Sequence, residues 1–75
     1  MVMKATELNI MQKAVIVHVD LKEKDAMRLF YLGIYVGAQI QLIRRAPLGD
    51  PLIFHVQGSD LILRTQDACR LEVEV

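Results

Sequence analysis

Three side chains have the chemistry to ligate a metal ion or act as nucleophile and base: His18, His55 and Cys69. A metal site is recognisable when ligands come in short pairs such as C-x-x-C or H-x-x-x-H, because one turn of chain then supplies two corners of a polyhedron. Neither pair occurs here. Strand-like alternation also places His18 and His55 on the non-core faces of their segments, and Cys69 can serve as a small buried hydrophobe. There is no glycine-rich phosphate loop either, so the residues assign no catalytic group, no metal ligand and no cofactor. The remaining concentrated chemistry is cationic. Arg44 and Arg45 adjoin Ala46-Pro47-Leu48-Gly49-Asp50-Pro51, a segment that sets apolar Leu48 between two prolines. Planar guanidinium groups recognise carboxylates and phosphates. A loop whose prolines already fix its backbone loses little conformational freedom when it binds.

These residues must be positioned by short strands. Between Lys13 and Val19, three valines alternate with Ile16 and His18, a period of two with β-branched residues. The period then changes: Ala26, Leu29, Phe30 and Gly33 recur at helical spacing while Lys22, Lys24, Asp25 and Arg28 face away. This predicts a helix over residues 22 to 32, with Asp20 and Glu23 as a capping pair and Gly33 as a left-handed C-terminal stop. Leu29 and Phe30 are expected to plug a barrel end, and Leu32 and Tyr35 to remain as exposed apolar surface. Gly37 marks a turn before Ile40 and Leu42. Leu52, Phe54 and Val56 alternate after Pro51, and Gly58-Ser59-Asp60 reads as a hairpin turn before Leu61 and Leu63. Thr65 to Ala68 reads as one helical turn with Thr65 or Asp67 as its cap. Leu71, Val73 and Val75 form a half-buried final strand, and Thr6 opens a short turn near the start. The pattern is mainly β: about five antiparallel strands in a small barrel or sandwich, with one helix inserted after the first strand.

Size and charge narrow the function. A chain of 75 residues is one domain, residues 1–75, with a small core and no room for a large substrate cleft. Nine basic residues balance nine acidic ones, without the cationic excess that drives nucleic-acid affinity. No signal-peptide pattern or membrane-length apolar run is visible, so the chain reads as soluble and cytoplasmic, with no membrane insertion. Zero net charge with 53% apolar residues favours association with a partner and leaves self-association open.

The runs Leu29-Phe30-Tyr31-Leu32-Gly33-Ile34-Tyr35-Val36-Gly37, Ala46-Pro47-Leu48-Gly49-Asp50-Pro51, Leu61-Ile62-Leu63-Arg64 and Leu71-Glu72-Val73-Glu74-Val75, in this order, resemble the FeoA family of bacterial ferrous iron transport. The resemblance spans about residues 6 to 75. It implies an SH3-like β-barrel with a helical insertion, and a non-enzymatic accessory role through protein–protein contact with the FeoB transporter. The same domain type also terminates metal-dependent repressors, but no helix-turn-helix accompanies it here. Two turns depart from the family pattern: Val36 stands where proline is usual, and Ile10-Met11 where Pro-Gly is common.

The expected contact residues are Leu32 and Tyr35 on one surface and Arg44, Arg45, Leu48 and Asp50 on another. Two alternatives accompany this reading. Arg44 or Arg45 could act in trans as an arginine finger on the transporter's GTPase domain. Less favoured is an Fe²⁺ carrier using His18, His55 or Cys69.

Overall fold

The computed structural model describes residues 1–75. Six strands, β1 (Val2–Lys4), β2 (Lys13–Val19), β3 (Gln39–Arg45), β4 (Leu52–Val56), β5 (Ser59–Leu63) and β6 (Leu71–Glu74), alternate with a 3-10 turn (Ala5–Glu7), helix α1 (Glu23–Tyr31) and helix α2 (Thr65–Ala68). They form one sheet in the order β1-β6-β2-β3-β4-β5, with every neighbouring pair antiparallel. Two expectations change. There are six strands rather than five, and α1 follows the second strand rather than the first. The additional strand, Val2–Lys4, has a periodicity too short to detect and exists through pairing with β6, Met3 opposite Val73.

The sheet curls around sixteen buried side chains, all apolar, with Phe54 the largest. Alternation sets the inner face: Leu52, Phe54 and Val56 on β4, Ile40 and Leu42 on β3, Leu71 and Val73 on β6. On β2 the inward residues are Ala14 and Ile16, so Val15 and Val17 face outward. An irregularity in the β2–β6 register between Ile16 and His18 then leaves both Val17 and His18 exposed. No helix is long and apolar enough to cross a membrane.

Helix α1 ends as predicted. Gly33 has φ +96°, its N–H donates to the Phe30 carbonyl at 3.0 Å, and the Ile34 N–H donates to the Leu29 carbonyl at 2.9 Å. This is a Schellman closure, and the hydrophobic pair that accompanies it, Leu29 with Ile34, lies in the core. A Cβ on Gly33 would stand 2.9 Å from the Gln57 side chain and 3.4 Å from that of Val56. Glycine therefore serves both the turn and the close seating of the helix end on the β4–β5 hairpin. The helix start differs from expectation. Lys22, without a side-chain cap, precedes the first turn, because Asp20 is held elsewhere: its N–H extends the ladder to the Arg70 carbonyl at 2.8 Å, and its carboxylate faces Arg70 at 3.5 Å. Glu23 and Asp25 in the first turn still complement the helix dipole.

The β4–β5 connection turns at Gln57-Gly58, one residue earlier than expected. Both residues have positive φ and Val56 pairs with Ser59, a type I′ hairpin whose twist matches that of the strands. Another tight turn joins Asn9 to Gln12, whose N–H donates to the Asn9 carbonyl at 3.0 Å, with Met11 at φ 71°. That geometry is a type II turn, in which glycine is the natural third residue. Met11 is also largely exposed. Met11→Gly should therefore stabilise the protein by about 0.5–1 kcal/mol, since relief of the left-handed conformation outweighs the lost side chain. Urea unfolding would report this as a raised midpoint at unchanged slope.

Candidate functional site

The expected contact residues divide once their partners are known. Arg45 lies at the end of β3 opposite Leu52. Its guanidinium donates to the Thr6 carbonyl at 3.1 Å and the Leu8 carbonyl at 2.6 Å. It thus ties the strand end to the 3-10 turn. These are charge-assisted bonds to carbonyls that would otherwise lack partners. Asp50 is likewise committed. Its carboxylate accepts the Thr65 N–H at 2.8 Å and lies 3.9 Å from the Arg64 guanidinium. The cap of α2, expected from Thr65 or Asp67, comes instead from a loop fifteen residues away. Neither local side chain caps the helix.

Leu48 and Arg44 remain free. Ala46 to Gly49 form a turn closed by the Gly49 N–H on the Ala46 carbonyl at 2.8 Å, with Pro47 as its second residue and Leu48 at the tip. Leu48 is 97% exposed. Arg44 stands on the outer face opposite Ile53, and none of the molecule's ion pairs involves it.

The second surface is larger than predicted. Phe30, against expectation, is 53% exposed, because the core stripe of α1 is narrow and Leu29 is its one fully buried side chain. The Phe30 ring lies 5.9 Å from that of Tyr31, edge-on, and 5.4 Å from that of Tyr35. Tyr35 accepts a hydrogen bond from the Gln57 amide at 3.0 Å, which fixes the ring that anchors the cluster. Met27, Leu32 and Val36 are also exposed. Aromatic rings that pack on each other yet face solvent form the kind of rigid, low-entropy surface that anchors protein interfaces. Helix α2 lies between the two surfaces: Arg28 of α1 bonds Asp67 of α2 at 3.4 Å, and Asp50 of the loop caps the same helix.

The groups with metal or nucleophile chemistry do not converge. His18 is exposed on β2, and His55 of β4 holds Asp60 through Nδ1 at 2.8 Å. Cys69 follows α2 with its thiol on the Gln66 carbonyl at 3.4 Å. No group of three or more His, Cys, Asp or Glu side chains is close enough to hold a metal ion. A polar depression lined by Lys13, Gln39, Gln41, His55 and Gln57 offers amides, one amine and one imidazole but no carboxylate in its lining.

Replacing Asp50 tests the cap directly. Asp50→Ala should cost about 1 kcal/mol in chemical denaturation, whereas Asp50→Asn, which keeps an acceptor oxygen, should retain most of that stability.

Comparison with known proteins adds to this geometry. A family model described as the FeoA domain matches residues 3–75. The chain is 33% identical over 73 residues to the Fe(2+) transport protein A/Fe(2+) transporter FeoB fusion protein of Porphyromonas gingivalis, which is 97% of this chain but 9% of that protein. Among solved structures, the FeoA protein of Chlorobium tepidum is 33% identical and superposes with a TM-score of 0.91, covering 97% of this chain and 70% of that one. The zinc-complexed FeoA of Stenotrophomonas maltophilia, described as a prokaryotic SH3 domain protein, is 32% identical with a TM-score of 0.79 over 96% of this chain and 89% of that one.

Proposed function

The chain belongs to the FeoA family of ferrous iron transport, and from that membership we propose that it is a non-enzymatic adaptor docking on the cytosolic part of a FeoB transporter. The observation that carries the proposal is the exposed aromatic cluster of Phe30, Tyr31 and Tyr35. A small domain gains nothing in its own core from rings that face solvent, but a partner that covers them gains a central anchor. The P. gingivalis relative joins an Fe(2+) transport protein A unit and FeoB in one polypeptide, which supports association between the two.

The reading also sorts the contact residues. Leu32 and Tyr35 belong to the aromatic surface, and Leu48 and Arg44 form the second contact. Arg45 and Asp50 act by holding the loop in shape, since their charged groups are occupied within the domain. Such a division predicts different phenotypes. Truncating Phe30 and Tyr31 together to serine should weaken binding to the cytosolic domain of the cognate transporter at least tenfold while leaving the fold intact. Leu48→Asp should also weaken it. Titration calorimetry with circular dichroism controls measures both, and full affinity in both folded variants would refute the docking surface.

A further inference from the structure

The sheet has two edges, and the chain treats them differently. One edge, β1, is only three residues long and carries Lys4. The other, β5, runs Ser59-Asp60-Leu61-Ile62-Leu63 without proline or lysine, although such residues are the ordinary protection of an exposed edge. Its register and two-residue turn determine which backbone groups are free. Val56 and Ser59 flank the turn and exchange hydrogen bonds, so Phe54–Leu61 and Leu52–Leu63 do likewise. Asp60 and Ile62 therefore direct their N–H and C=O groups toward the open edge. Their side chains share the outer face: Ile62 is 70% exposed and lies opposite half-buried Ile53 of β4.

We propose that β5 is the seat of a second copy of this chain, paired antiparallel about a two-fold axis at Ile62 so that Asp60 of each copy lies opposite Arg64 of the other. The observation behind the choice of occupant is self-complementary charge. Asp60, Ile62 and Arg64 alternate toward one face, and Arg64 keeps an extended backbone at ψ 150°. Within the chain Asp60 meets only the partly exposed His55 at 2.8 Å, and Arg64 only Asp50 at 3.9 Å. With the Asp60 and Arg64 side chains 62% and 71% exposed, these weak surface pairs can be exchanged for pairs across the axis. With Ile62 facing its own copy, both flanking pairs are acid against base, and opposite charges directly across a sheet stabilise it. The same register joins the Ile53–Ile62 row of each copy into a continuous apolar stripe over the axis. Zero net charge leaves no long-range repulsion between copies. Every contact in such an isologous interface occurs twice, which doubles the effect of each substitution. The aromatic surface on α1 is not used, so docking and self-pairing are separate properties.

Sedimentation velocity of the full chain from micromolar to millimolar concentration tests the proposal. The wild-type protein should shift from monomer to dimer with rising concentration, and Ile62→Lys, which sets two ammonium groups together at the axis, should remain monomeric. Asp60→Arg and Arg64→Glu should each weaken self-association at least tenfold, about 1.4 kcal/mol, because each creates two like-charge pairs. Mixing these two variants in equal amounts restores acid against base at both positions and should restore dimerisation as a heterodimer. Circular dichroism confirms that each variant is folded. A wild-type chain that stays monomeric throughout, a dimer that survives Ile62→Lys undiminished, or a mixture no better than its components would each overturn the proposal. A monomeric wild type in which Ile62→Lys instead abolishes transporter binding would overturn it in favour of a partner's strand on this edge.

Discussion

The sheet closes over a core that contains no polar side chain, and the rest of the molecule is arranged around that fact. Sixteen apolar side chains fill the interior, so directional side-chain contacts are confined to the rim. There they act as fasteners: Arg45 on the carbonyls of the 3-10 turn, Asp50 on the first N–H of α2, Arg28 on Asp67, Arg70 on Asp20. A partly exposed ion pair stabilises little by itself. The bonds from Arg45 and Asp50 count for more, because they satisfy backbone groups at helix and turn ends. The hydrophobic effect makes the domain compact, and the rim determines how its loops and helices stand.

That division also separates architecture from recognition. A charged residue on a loop is a natural candidate for partner contact, yet Arg45 and Asp50 are engaged within the domain while their neighbours Arg44 and Leu48 are free. The reverse holds on α1. Phe30 has the composition of a core residue, but the helix is short and its inward stripe is filled by Leu29, with Ile34 completing the seal from beyond the Schellman turn. The rings left over pack on each other outside. What remains unengaged once the rim and core are satisfied is the surface that the proposed docking would use.

Much of this is legible in the sequence. Alternation located β2, β3, β4, β5 and β6, the change of period located α1, and Gly33 marked its end, because each of these signals is local. What escaped reading depends on contacts between segments distant in sequence. Strand β1 is defined by its partner β6 rather than by its own pattern. Asp20 resembles a helix cap until Arg70 claims its N–H, and the cap of α2 is delivered by a residue from another loop. The inward phase of β2 takes Ala14 and Ile16 and leaves Val15 and Val17 outside, which alternation of apolar residues on both faces could not decide. Of the six expected contact residues, sequence could not tell which side chains are engaged within the domain, Arg45 and Asp50, from those left exposed.

Surface loops are where proteins ordinarily accept inserted residues, because nothing distant depends on their length. The β3–β4 loop is an exception. It must deliver the Asp50 carboxylate to within 2.8 Å of the Thr65 N–H while returning the chain in register, Arg45 opposite Leu52. One extra residue lengthens an extended chain by about 3.3–3.6 Å, more than a hydrogen bond tolerates. Between Ala46 and Pro51 the length of the loop is therefore as constrained as a core position, although the four residues from Pro47 to Asp50 are exposed. Among related domains that keep α2, this segment should vary in residue type at its tip far more readily than in length.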